Sequence, residues 1–224
     1  MTTNASPSLS LRRLAAILAV LLIAGGPQAW AGDCPERSVT VDFRFDSVFA
    51  EPAYDNSKPK SWIETRVGGN PNTRAQTETH LATNVNLGFS FLTRPDGRGV
   101  CAYLNKAHFR LGFDKIDVYI ANKYPVGTCQ YDTLRKHEAE HVAIARAALD
   151  KARPEIEAIM KAEAGRTAPV LAADTKAAGN AIGEALSRRF KEEWKRFEAG
   201  HGQTQKGIDT QSSYKALEAL CPTW

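Results

Sequence analysis

The chain has 224 residues, 43% hydrophobic and 24% charged, with 29 basic and 25 acidic side chains and a formal net charge of +4. That apolar content with so small a net charge excludes a disordered chain, and a single continuously apolar stretch excludes a polytopic membrane protein. The length fits one domain with a real core, and the interspersed charges lack the one-signed basic stripe that nucleic-acid binding needs.

Residues 1–13 carry no acid and end in Arg12 and Arg13. An apolar run from Leu14 to Ala24 follows, then Gly25-Gly26-Pro27 and Ala29-Trp30-Ala31. A basic start, a short apolar middle and an Ala-x-Ala end predict a signal peptide over 1–31, cleaved after Ala31. The run is too short for a membrane span of about 20 residues, so no transmembrane anchor remains after cleavage. The expected product is a periplasmic or secreted single domain over 32–224, with 27 basic and 25 acidic side chains. Its four cysteines, Cys34, Cys101, Cys129 and Cys221, predict two disulfides in an oxidising compartment. The favoured pairing is Cys101–Cys129 with Cys34–Cys221, out of three connectivities.

From 38 to 121 the apolar period is two, which predicts strands. Val39, Val41, Phe43 and Phe45 mark the first strand, and Val85, Leu87, Phe89 and Phe91 the second. Arg94-Pro95-Asp96-Gly97 is turn chemistry that should close a hairpin between 80–93 and 100–113. A shorter strand with Ile116, Val118 and Ile120 comes next, and the polar stretch 47–79 reads as a long loop. From about 130 the period becomes helical: Leu134, His137, His141, Ala145 and Ala148 share one stripe. A second long helix should start at the N-cap Asp174 and bury Ile182, Leu186, Phe190, Trp194 and Phe197, with a short last helix over 208–220. The expected fold is α+β: an antiparallel sheet of about four strands (32–129 mainly β), then a long helix and a C-terminal helical hairpin (130–224 mainly α).

The residues that carry chemistry are His137-Glu138-Ala139-Glu140-His141. This is H-E-x-x-H on a helical segment, where positions i and i+4 share a face about 6 Å apart. Both imidazoles can then reach one Zn²⁺ at about 2.1 Å. Glu138 sits one position round the helix, placed to act as general base on a water acidified by the metal.

Around this motif the chain resembles a family. Lys115–Ile120, Tyr124-Pro125, Cys129-Gln130-Tyr131-Asp132 and HEAEH, within about residues 80–152, are similar to a group of bacterial proteins of unknown function described as secreted zinc-dependent proteases of the zincin type. The resemblance implies a zincin-like fold, zinc on His137 and His141, catalysis by Glu138, and a peptide or protein substrate. It also implies an edge strand beside the helix to pair with that substrate, a part that 115–121 could play.

The third ligand is open. Ile144 and Ala147 stand where an extended H-E-x-x-H-x-x-G-x-x-H motif needs Gly and His. Glu155 and Glu157 could serve only if the helix reversed at Pro154. If the helix runs on, an antiparallel second helix brings 197–201 opposite 137–141, which makes His201 the favoured ligand and Glu198 the substitute. The alternative to a zinc hydrolase is a non-enzymatic exported binding or assembly protein of the cell envelope.

Overall fold

The computed structural model describes residues 34–68 and 72–224; the expected signal peptide lies outside them. The elements in order are β1 (Asp42–Phe49), β2 (Pro52–Asp55), α1 (Lys60–Arg66), β3 (Ala75–Thr93), β4 (Val100–Ile120), α2 (Cys129–Arg166), β5 (Val170–Ala172), α3 (Thr175–Ile208) and α4 (Gln211–Glu218). No helix among the described residues is long and apolar enough to cross a membrane.

β4 is the spine of the sheet. β3 pairs antiparallel along its whole length, from Ala75 opposite Ile120 to Thr93 opposite Val100. One edge of β4 is thereby occupied, so β5, β1 and β2 share the other edge, against 100–102, 106–113 and 116–119 respectively. β1 and β2 run parallel to β4. The expectation of an antiparallel sheet is thus overturned: the sheet is mixed, with five strands and a parallel pairing at its heart, although the protein remains α+β. Alternation reveals which face of a strand is buried but not the direction of its neighbour. The stretch 47–79 is also more than a loop, since β2, α1 and the first residues of β3 lie within it. β4 continues through Gly112 and past Asp114, where the register against β3 shifts, to Ile120, so the two strands expected there are one. Arg94–Gly97 makes the turn between β3 and β4, with Gly97 N–H donating to the Arg94 carbonyl.

One face of the sheet carries α2 and α3. Phe45, Phe109, Leu111 and Phe113 meet Val142, Ala145, Leu149 and Met160 of α2 and Ile182, Leu186 and Phe190 of α3, all buried. A smaller cluster around Ile63, Ile120, Tyr124 and Leu134 seats α1 and the start of α2. α2 begins at the N-cap Thr128, whose side chain accepts from the Tyr131 N–H, and runs 38 residues through Pro154. A proline there removes one internal hydrogen bond, which the burial of Ile156, Met160 and Ala164 beyond it offsets.

The disulfides are Cys34–Cys101 and Cys129–Cys221. The expected pairing is corrected for a simple reason. Cys101 opens β4 and Cys129 follows its far end, and a strand of that length spans about 60 Å at about 3.3 Å per residue.

Candidate metal centre

His137, Glu138 and His141 are all buried on α2, with ligand atoms within 4.8 Å of one another. Glu138 and His141 border a cleft, with the His137 ring 4.9 Å from that of His141. One wall of that cleft is the start of β3 with the segment leading into it, where Thr73, Ala75, Gln76, Thr77 and Thr79 border a cavity of about 300 Å³. The opposite wall is the end of α3 and the start of α4, with His201, Gln205, Asp209 and Tyr214. The strand beside the helix is therefore Ala75–Thr79 of β3, which has a free edge among the described strands. Residues 115–121 cannot take that part, because β4 is paired on both sides.

The imidazoles converge on one atom. Asp209 Oδ1 lies 3.1 Å from His137 Nε2 and 3.1 Å from His141 Nε2. Donors each about 2.1 Å from a tetrahedral divalent ion are about 3.4 Å apart, so both nitrogen–oxygen spacings are already close to what such an ion needs. The tautomer is arranged as well: His141 Nδ1 faces Gln205 Oε1, and Gln205 Nε2 donates to the His141 carbonyl at 2.9 Å. With Nδ1–H so engaged, Nε2 is the nitrogen left for a metal. Tyr214 donates its hydroxyl to the same Asp209 oxygen at 3.0 Å, and its ring lies 5.8 Å from that of His137.

His201 is in the cleft, but the group that meets both imidazoles is Asp209. His201 Nε2 lies 2.8 Å from Gln205 Nε2 and its ring stacks on Phe197, so Gln205 stands between it and His141. The uninterrupted α2 carries Glu155 and Glu157 away: Glu155 is 14 residues past His141, about 21 Å along the axis.

The electrostatics follow from this packing. Burial opposes the charged form of His141, but its hydrogen bonds to Asp209 and Gln205 outweigh it and lift the imidazole to about 8. Burial likewise opposes the Asp209 carboxylate, and the two imidazoles overcome it, holding Asp209 well below the usual carboxylate range. Glu138 moves the other way: burial raises it, although the His141 charge and the Thr77 hydroxyl favour its ionised form. Thr77 Oγ1 donates to Glu138 Oε2 at 2.8 Å, which fixes the carboxylate against the edge strand. Burial raises Tyr214, helped by the Asp209 charge, so its hydroxyl stays a proton donor.

A second cluster, Glu78, His80 and Asp117, lies towards the other face of the sheet. Arg66 pairs with both Glu78 oxygens at 2.5 and 2.6 Å, and Lys115 meets Asp117 at 2.7 Å. Its carboxylates already have their cations, and it reads as a salt-bridge network. His108 likewise meets Asp42 at 2.9 Å on the surface.

Sequence reasoning missed Asp209, Gln205 and Tyr214. A signal existed in Thr210-x-x-Ser213, which forms a capping box at the start of α4 and so marks where α3 must end. Comparison with protein families, with curated proteins and with solved structures finds no match for this chain. The functional reading therefore rests on the residues themselves.

Proposed function

We propose that the chain is an exported zinc-dependent hydrolase, and specifically a peptidase. The observation that carries the reading is the convergence of His137 Nε2, His141 Nε2 and Asp209 Oδ1 beside the buried Glu138. Two imidazoles and one carboxylate form a donor set suited to zinc, and three protein ligands leave a coordination position open, as catalytic sites require. When bound, zinc supplies Lewis acidity and lowers the pKa of a water toward 7. Glu138 takes the proton from the attacking water and passes it to the leaving amine. Burial favours the protonated form needed for the second transfer, while Thr77 holds the carboxylate in place. The free edge of Ala75–Thr79 offers main-chain N–H and C=O groups to an extended peptide lying along the cleft. The two disulfides support export, since such bonds persist in oxidising compartments.

The test is to incubate zinc-loaded protein with a mixed peptide library and read new termini by mass spectrometry. Glu138→Gln should keep its zinc and lose cleavage. Equal cleavage by that variant would remove the catalytic reading, and a metal-bound protein inert toward every peptide would favour a binding role.

A further inference from the structure

The centre is assembled from two parts of unequal security. His137 and His141 belong to a helix buried in the main core, whereas Asp209 and Tyr214 sit where α3 passes into the C-terminal arm 209–224. α4 itself has no buried residue, and the arm meets the core through Trp224, which packs against the cluster around Ile63 and Tyr124, and through the buried Cys221. Its other non-covalent attachments lie near the surface: Gln130 Nε2 donates to the Thr223 carbonyl, and the Arg74 guanidinium lies 4.8 Å over the Trp224 ring. Glu218 pairs with Arg74 at 2.6 Å with 44% of its side chain exposed, and Trp224 lies 5.8 Å from Tyr124. Exposed ion pairs contribute little. The covalent link is Cys129–Cys221, which ties the arm to the first residue of α2, eight residues and about 12 Å of axis before His137.

The two disulfides also differ in access. Cys34–Cys101 joins a half-buried residue to a wholly buried one, whereas Cys129–Cys221 joins an exposed residue at the N-terminus of α2 to a buried one. Thiol–disulfide exchange needs a thiolate to reach a sulfur, so the more open of the two bridges is the one that ties down the arm carrying Asp209.

We propose that Cys129–Cys221 is a redox latch on the metal centre: its reduction by an external dithiol loosens the C-terminal arm, withdraws Asp209 and lowers metal affinity. This rests on the metal reading above. In the exchange a dithiol thiolate bonds to Cys129 Sγ, and Cys221 leaves as a thiolate and takes up a proton. Thr133 Oγ1, 3.5 Å from Cys221 Sγ, is placed to meet that thiolate. The second thiol of the reagent then displaces Cys129, so the reagent is oxidised to its own disulfide and the bridge is reduced to two thiols.

The experiment treats the metal-free protein briefly with a dithiol, alkylates the freed thiols, and removes both reagents. Mass mapping should find Cys129 and Cys221 alkylated with Cys34–Cys101 intact. Zinc affinity, read by competition with a chromophoric chelator, should then be about 10- to 100-fold weaker than in the untreated protein, the range seen when support of a ligand is lost. The Cys129→Ser/Cys221→Ser double variant should show the same loss without reductant. Unchanged affinity in both would overturn the latch, as would simultaneous opening of the two bridges or loss of the helical circular dichroism spectrum. If untreated protein binds no zinc at all, it is the metal reading that fails.

Discussion

Replacing Asp209 with Asn in the metal-free protein tests the third position without any substrate. The side chain keeps its shape and loses its charge, so cavity effects do not enter. In the wild type, Asp209 and Gln205 hold His141 at about 8 against the opposing effect of burial. Without the carboxylate, His141 should fall from about 8 toward its ordinary value, with Gln205 and the Glu138 charge still favouring its charged form; a fall of about one pH unit is about 1.4 kcal/mol of interaction. The Asp209 side chain is 40% exposed, so solvent screening holds this to about 1 kcal/mol. The sign is fixed by linkage. A raised histidine stabilises the fold fully below its unfolded value of about 6.5 and loses that stabilisation as pH rises through about 8. The depressed carboxylate adds stability only above its unfolded value of about 3.8. The variant should therefore be less stable by about 1–2 kcal/mol between about pH 4 and 6.5, and the difference should narrow as pH rises through about 8 to what the Tyr214 hydrogen bond to Asp209 still contributes. Urea unfolding in the presence of a chelator measures the difference, and ¹⁵N-detected NMR titration reads His141 directly. A wild-type His141 titrating at or below 6.5, or one unmoved by Asp209→Asn, would refute the arrangement.

Other predictions follow from the same geometry. Because His141 at about 8 is roughly nine-tenths protonated at pH 7 and must be neutral to ligate, zinc binding at pH 7 should release about one proton; calorimetry in buffers of different ionisation enthalpy counts it, and affinity should rise with pH until about 8. Thr77→Val removes the hydroxyl that meets Glu138 Oε2 and should cost about 1–3 kcal/mol by denaturant unfolding at pH 8, because a buried acceptor loses a partner. Gly112→Ala should cost about 3 kcal/mol or more: at φ +149° its added Cβ would stand 1.9 Å from the Val48 carbonyl oxygen of β1, and a variant as stable as wild type would contradict the β1–β4 register.

The sequence made some of this legible, and the physics explains where it stopped. Burial on one face leaves a period in the strand around Phe109 and in the stripe Ile182–Phe197, so those elements could be placed. Strand direction leaves no such mark, because β1 buries Phe43 and Phe45 in the same way whether it runs parallel or antiparallel to β4. The H-E-x-x-H pair is local to one helix and could be read at once. The third position depends on where two long helices face each other, and an error in either end propagates along both. Running the first helix to about 163 and returning the second from about 175 set His137 opposite His201. In the structure α3 passes through Gly200 and Gly202 to Ile208, and the contacts fall eight residues later, at His141–Gln205 and His137–Asp209. Eight residues are about 12 Å of helix, enough to exchange one ligand for another.

The most direct measurement of the central claim is a crystal structure of the zinc-loaded protein with anomalous scattering recorded at the zinc edge. The account predicts one zinc at about 2.1 Å from His137 Nε2, His141 Nε2 and an Asp209 oxygen, with Glu138 near it but not bound and no fourth protein ligand. Zinc bound by His201 in place of Asp209, or no anomalous peak between His137 and His141, would contradict it.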